Sequence, residues 1–310
     1  MSKIYTSIDM LIGETPLLEL KNLVRKNALH ARILGKLECC NPAGSVKDRA
    51  AKAMLDEAEQ KGLIGEASVI IEPTSGNTGV ALAAVAAARG YRTIIVMPDT
   101  MSKERRLLMS AYGAKVVLSP GTEGMAGAVA AARKIAAETP HSFIPGQFEN
   151  PANARAHFET TAPEIWRDTD GEIDIFVAGV GTGGTISGAG EYLKAQKASL
   201  KVVAVEPASS PLLSEGRAGG HKIQGIGANF VPELLNTNIY DEVMSVKDED
   251  ALLATRELAR TEGIMAGISS GAAIWAAVEL AKRSESADKT IVAILPDSGT
   301  RYLSTGVFDA

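Results

Sequence analysis

Apolar and polar positions along the chain follow two rhythms. Unbroken apolar runs at Val69–Ile71, Thr93–Met97, Ile175–Ala178 and Val202–Val205 have the length and continuity of strands buried on both faces. Each pair of runs flanks a glycine turn and a helical, alanine- or glycine-rich stretch. The segments "SVIIEPTSGNTGVALAAVAAARGYRTIIVMP" and "DIFVAGVGTGGTISGAGEYLKAQKASLKVVAVEP" therefore each predict a right-handed parallel β-α-β unit at the centre of an α/β lobe. Further strands are predicted at "RILGKLE", "KVVLS", "EVMSV" and "TIVAILP". Helices are predicted over Ala50–Lys61, Ser102–Ala111, Gly124–Glu138, Asp248–Glu262 and Ser270–Arg283. Strand and helix alternate throughout, which is the α/β class. The Pro, Gly and Asn content of Pro145–Asn153 marks a change of lobe.

A length of 310 residues agrees with two domains. A net charge of −5 and 5% aromatic residues turn the reading away from nucleic acid and anionic membranes and toward a small-molecule partner. The start of the chain has no signal-peptide run, and no segment has the roughly 18 apolar residues of a membrane span, so a cytoplasmic protein is expected. The two cysteines, Cys39 and Cys40, are adjacent. That excludes a disulfide framework and a spaced metal-ligand set, so no metal is expected, and both are read as small buried hydrophobes.

In "NPAGSVKDRA", Pro42 and Gly44 make a turn, Ser45 reads as a helix N-cap and Asp48 completes a capping-box pattern. Lys47 then falls in the first helical turn, where the helix dipole disfavours a cation by about 0.3–1 kcal/mol. Such a site lowers the pKa of an amine toward nucleophilic use, and Asp48 opposes that if it reaches the amine.

The loops "TSGNTG" and "GVGTGGT" each join a strand's carboxyl end to a helix start, which offers backbone N–H groups to an anion. Two such loops suggest two anionic groups. Gly179, Gly181 and Gly184 also satisfy G-x-G-x-x-G, and Glu206 ends the next strand, so a nicotinamide dinucleotide site is the rival reading. Thr182 and Thr185 inside the loop suit a compact terminal phosphate better, and Lys47 adds weight to that side.

A reactive lysine, a phosphate cradle and a carboxylate cradle are what pyridoxal-phosphate chemistry on an amino acid needs. The motifs "IGETPLLEL", "LECCNPAGSVKDRA", "EPTSGNTGVALA", "QFENPAN", "GVGTGGTISG", "KIQGIGANFVP", "GIMAGISSGAA" and "LPDSGTRYLST" occur in order along nearly the whole chain. In them the sequence resembles the cysteine synthase/cystathionine β-synthase family, whose O-acetylserine sulfhydrylases are fold-type II pyridoxal-phosphate enzymes. The resemblance implies two three-layer αβα lobes with mainly parallel twisted sheets, similar to tryptophan synthase β. It places residues 1–40 plus 151–310 in a larger cofactor-phosphate domain and 41–150 in a smaller mobile one.

The resemblance also assigns roles residue by residue. Lys47 would carry the cofactor and act as the base, Asn77 would bond the ring hydroxyl, and Gly181, Thr182, Gly183, Gly184 and Thr185 would hold the phosphate. A serine of "GISSGAA" would face the pyridine nitrogen, by position Ser269 rather than Ser270. Thr74, Ser75, Asn77, Thr78, Gln147 and Gly227 would bind the substrate. The implied reaction converts O-acetyl-L-serine and sulfide to L-cysteine and acetate through an α-aminoacrylate, and the alternatives are cystathionine β-synthase or cysteine desulfhydrase chemistry. Implied partners are a second copy of the chain and the C-terminal tail of serine acetyltransferase. Asn229 and Thr300 depart from the family pattern, where glycine and glutamate are usual.

Overall fold

The computed structural model describes residues 4–309. Ten strands occur among them: β1 (Leu17–Glu19), β2 (Arg32–Leu37), β3 (Val69–Pro73), β4 (Arg92–Pro98), β5 (Lys115–Ser119), β6 (Ser142–Phe143), β7 (Ile175–Gly179), β8 (Lys201–Pro207), β9 (Glu242–Val246) and β10 (Thr290–Leu295). The helices are α1 (Lys21–Lys26), α2 (Lys47–Gln60), α3 (Asn77–Arg89), α4 (Lys103–Ala111), α5 (Gly124–Glu138), α6 (Ala152–Ala156), α7 (Ala162–Asp168), α8 (Gly184–Gln196), α9 (Leu212–Glu215), α10 (Asp248–Glu262) and α11 (Ile268–Ala281).

The predicted elements are all present, with boundary shifts of a few residues. Helix α2 starts at Lys47 rather than Ala50, and α11 starts at Ile268 rather than Ser270, so Ser269 and Ser270 both lie in its first turn. Ser102 is the cap of α4, its hydroxyl accepting from the Arg105 amide at 3.4 Å, rather than its first residue.

Chain contacts separate two compact units. One comprises the residues up to Ile12 with Asn41–Asn153, and the other Gly13–Cys40 with the chain from Ala154 onward. The N-terminal residues thus belong with the 41–153 segment, because the turn Ile8–Leu11 packs on α3 and Asp9 is bridged by Arg89 at 2.6 Å.

In the first unit the sheet order is β5-β4-β3-β6, all neighbours parallel. Its strands are apolar on both faces because both are covered. Val69 and Ile71 pack with Val96, Ala128 and Ala132 under α5, while Ile70 packs with Met54, Leu55, Leu82 and Val85 of α2 and α3. Each buried aliphatic side chain contributes about 1.5–3 kcal/mol.

In the second unit the order is β1-β2-β10-β7-β8-β9, parallel except for the antiparallel β1–β2 edge. Ile175, Val177, Val203 and Val205 face α10 and α11, and Phe176, Ala178, Val202 and Ala204 face α7 and α8. Each unit is therefore a helix-sheet-helix sandwich. Both predicted β-α-β units are present, as β3-α3-β4 and β7-α8-β8.

Cys39 is half-buried and Cys40 exposed, so the pair is not the buried hydrophobic one that the sequence suggested. Burial, reinforced by Cys40, pushes the Cys39 thiol up to about 11. No helix among the described residues is long and apolar enough to cross a membrane.

Candidate active site

Lys47 is the first residue of α2, and its backbone amide donates to the Ser45 hydroxyl at 3.3 Å. The capping pair expected here is displaced by one residue: Val46, not Ser45, precedes the helix, and the Ser45 hydroxyl donates to the Asp48 carboxylate at 3.3 Å. Val46 already has helical angles (φ −56°, ψ −22°), and Asp48 reaches back past Ser45 to accept the Ala43 amide at 2.6 Å. The cause is the Asn41–Gly44 turn, closed by Gly44 N donating to Asn41 O at 2.8 Å, which points the Ala43 amide at the wholly buried Asp48 carboxylate. The result is a rigid approach to a lysine at the positive end of a 14-residue helix.

The loop after β3 ends at the start of α3, with Asn77 as the first helical residue and Gly76 extended before it. Thr74 and Thr78 are buried, and the Thr74 hydroxyl accepts the Gly76 amide at 3.4 Å. Ser75 is anchored through its carbonyl, which accepts from Arg105 at 3.4 Å. Helix α3 packs on α2, so the helices opened by Lys47 and Asn77 share one hydrophobic layer.

Gln147 lies 69 residues beyond Thr78 in sequence, yet its side-chain oxygen accepts the Thr78 hydroxyl at 2.5 Å. Its backbone is fixed twice: the carbonyl accepts from Asn153 at 2.8 Å, and the amide donates to Glu72 at 3.2 Å. Glu72 also accepts the Gly146 amide at 3.0 Å. Burial holds the Glu72 carboxyl well above the usual carboxylate range, at about 7, against the lowering effect of those two amides. This residue was not picked out from the sequence. The only signal was a carboxylate interrupting the apolar run "VIIEP".

In the other unit, β7 leads through Val180–Gly183 into α8. Gly183 is left-handed (φ +82°) as the residue before the helix. A side chain on Gly181 would put its first carbon 2.4 Å from the Gly225 carbonyl oxygen, so only glycine fits. Thr182 and Thr185 are buried beside these glycines, and the Gly184 amide donates to the Thr182 hydroxyl at 3.4 Å. The Thr185 hydroxyl lies 3.2 Å from Nε2 of His157, a buried imidazole at the start of a π-helical turn between α6 and α7. His157 gave no signal in the sequence.

Gly225 also neighbours the first turn of α11. The Ser269 hydroxyl lies 3.6 Å from where a Gly225 side chain would begin, whereas Ser270 is fully enclosed and its hydroxyl has no hydrogen-bond partner. Gly227 (φ +71°) donates to Val180 O at 2.9 Å and so ties the "GIGANFVP" segment to the same loop. Asn229 and Thr300, the two departures, are both exposed.

The dinucleotide reading loses its acidic residue. Glu206 is spent on its own chain, accepting the amides of Leu213 at 2.8 Å and Ser214 at 3.3 Å and the Ser245 hydroxyl at 3.2 Å. The Gly181–Thr185 loop instead combines a glycine floor, two buried hydroxyls and a 13-residue helix start, the donor set a phosphate monoester needs. Those donors fit the phosphate of pyridoxal phosphate, and the Ser269 hydroxyl lies near Gly225, whose carbonyl faces Gly181. Sequence-predicted residues fall into two sets, Lys47, Thr74, Ser75, Asn77, Thr78 and Gln147 in one unit and Gly181–Thr185, Gly227 and Ser269 in the other.

Comparisons with known proteins bear on the family of the chain. The chain is 53% identical over 99% of both lengths to a probable cysteine synthase of Bacillus subtilis, and 51% identical to a cysteine synthase of Staphylococcus aureus over 97% of this chain and 96% of that one. A crystal structure of cysteine synthase from Entamoeba histolytica superposes with a TM-score of 0.95 at 44% identity, covering 100% of this chain and 92% of the other. The profile of the pyridoxal-phosphate dependent enzymes matches residues 8–297, and the chain belongs to that family.

Proposed function

We propose that the protein makes L-cysteine and acetate from O-acetyl-L-serine and sulfide by pyridoxal-phosphate-dependent β-replacement, in the cytoplasm and as a homodimer. The observation that carries this reading is the 53% identity to a probable cysteine synthase over 99% of both chains.

When bound, the cofactor supplies an electron sink for the negative charge that develops at the substrate α-carbon. Gly181, Thr182, Gly183, Gly184 and Thr185 would hold its phosphate at the α8 N-terminus, and Asn77 would bond its ring hydroxyl. Lys47 would anchor it, and the Lys47 amine would take the proton from the substrate α-carbon. The helix-start position favours the neutral amine this step needs. Ser269 would offer the pyridine nitrogen a neutral hydroxyl, which suits loss of a β-substituent better than transamination. Its position beside Gly225 supports it over the enclosed Ser270. Thr74, Ser75, Asn77, Thr78 and Gln147 receive the substrate carboxylate, and Gly227 borders the substrate. The protein partner proposed is the C-terminal tail of serine acetyltransferase.

The test is cysteine formation from sulfide with O-acetylserine, O-phosphoserine or serine supplied in parallel, and with homocysteine as a competing acceptor. O-acetylserine with sulfide is expected to be fastest. Equal or faster turnover with homocysteine would replace this reading by cystathionine synthesis.

A further inference from the structure

We propose that Glu72 is a positioning residue for the substrate carboxylate: in its ionised form it grips the Gly146 and Gln147 amides together, which sets Gln147 against Thr78 and makes substrate affinity proton-dependent. The inference rests on the reading that Thr78 and Gln147 receive that carboxylate.

The geometry is unusual for a carboxylate. Glu72 is 1% exposed, near the end of a buried strand, and it accepts two main-chain amides at 3.0 and 3.2 Å. Both come from the loop that presents Gln147. An ionised carboxylate has an acceptor for each N–H. A protonated carboxyl turns one oxygen into an O–H donor that faces an N–H donor, so one of the two bonds is lost. The fork is therefore complete in only one protonation state.

The surroundings place that change near neutrality. Burial raises the carboxyl to about 7, and Glu149 in the same loop adds a smaller push in that direction. Among charged groups on the elements packed around β3, Arg89 of α3 is engaged by Asp9, Asp56 and Glu59, and Arg92 of β4 lies opposite Val69 at the far end of the strand. Asp48 and Arg49 are the buried charges of α2, and Arg133, Lys134 and Glu138 belong to α5, which covers the other face of the sheet.

What Glu72 holds is chemically specific. Because the Gln147 oxygen accepts from Thr78, its side-chain NH2 is the end left to donate, and donors are what a carboxylate requires. If the Gly146–Gln147 backbone shifts, both the Thr78 contact and the aim of that NH2 change. The substrate carboxylate is bound in ground state and transition state alike, so the effect belongs in KM more than in kcat.

The experiment compares wild type with Glu72→Gln and Glu72→Asp, following KM for O-acetylserine and kcat from pH 6 to 9, with amide hydrogen exchange of the 145–149 segment as the readout independent of turnover. In wild type, KM should rise as pH falls through about 7, and the protection factors of the Gly146 and Gln147 amides, taken relative to the intrinsic exchange rate at each pH, should fall in parallel. Glu72→Gln should raise KM at pH 8 by about tenfold, the loss of one charge-assisted hydrogen bond, and should erase the step in both readouts. Glu72→Asp, which keeps the charge, should restore part of the step. Coincident KM profiles for wild type and Glu72→Gln, or a loss confined to kcat, would overturn the inference. Failure of the underlying reading looks different: Thr78→Ala and Gln147→Ala would leave KM for O-acetylserine unchanged, whereas failure of the inference alone leaves those two variants weakened and wild type and Glu72→Gln with the same profile.

Discussion

The hydroxyl of Thr185 and Nε2 of His157 lie 3.2 Å apart, 28 residues from each other in sequence, inside the larger unit. His157 is fully buried and its other ring nitrogen lies 2.9 Å from the Thr161 hydroxyl, so the imidazole is fixed at both ends. It orients a threonine of the proposed phosphate loop. His157→Ala is expected to raise the dissociation constant for pyridoxal phosphate about tenfold or more and to lower unfolding stability by about 1–3 kcal/mol. Cofactor titration by absorbance and urea unfolding measure the two effects separately. Unchanged cofactor affinity would reduce His157 to a packing residue.

Gly181→Ala tests the floor of that loop. The added carbon would stand 2.4 Å from the Gly225 carbonyl, a backbone atom that cannot rotate away. Expected is a large loss of cofactor affinity with circular dichroism close to wild type. Normal loading would show that the loop relaxes.

Lys47→Ala should abolish the visible absorbance of covalently anchored cofactor and reduce cysteine formation by several orders of magnitude. The fold should survive, because the side chain is half-buried at a helix start rather than in the hydrophobic layer. Normal turnover would transfer the anchoring role elsewhere.

Lys36 and Glu164 form an ion pair at 2.8 Å, with the lysine fully buried on β2 and the Thr15 carbonyl as a further acceptor. Removing Glu164 leaves the buried ammonium with only the more distant Asp168 carboxylate at 3.9 Å, so Glu164→Leu is expected to cost about 3 kcal/mol. The double variant Lys36→Met with Glu164→Leu should recover most of it. Urea unfolding midpoints of the three variants decide this.

Glu72 also leaves a mark on stability. A carboxyl raised from 4.5 to about 7 on folding binds its proton more tightly in the native state. Its stabilising contribution is therefore complete below the ordinary value near 4.5 and is lost as pH rises through about 7, a swing of up to about 3 kcal/mol. Glu72→Gln should flatten the fall of melting temperature between pH 5 and 8. An identical slope in the variant would mean that other groups set it.

Legibility in the sequence tracked locality. Long apolar strands and helices such as Gly124–Glu138 and Asp248–Glu262 carry their own periodicity, and their bounds match the structure. Strands β1 and β6, with three and two residues, are too short to show a period, and the helical run from Ala152 to Asp168 is interrupted by its π turn. The two anion cradles were visible because glycine turns at helix starts are local features. Glu72 and His157 were not visible, since their roles depend on partners 74 and 28 residues away that only the fold brings to them.

The six-stranded sheet has an order that bears on how the chain is made. Strand β10, the last strand among the described residues, lies between β2 and β7, paired with β2 over Thr290–Leu295 against Arg32–Leu37. While the intervening residues are synthesised, β2 waits with an apolar edge open, whereas the 41–153 segment already holds every strand of its own sheet. The smaller unit can close during translation. The larger one stays exposed to aggregation and to chaperones until β10 emerges.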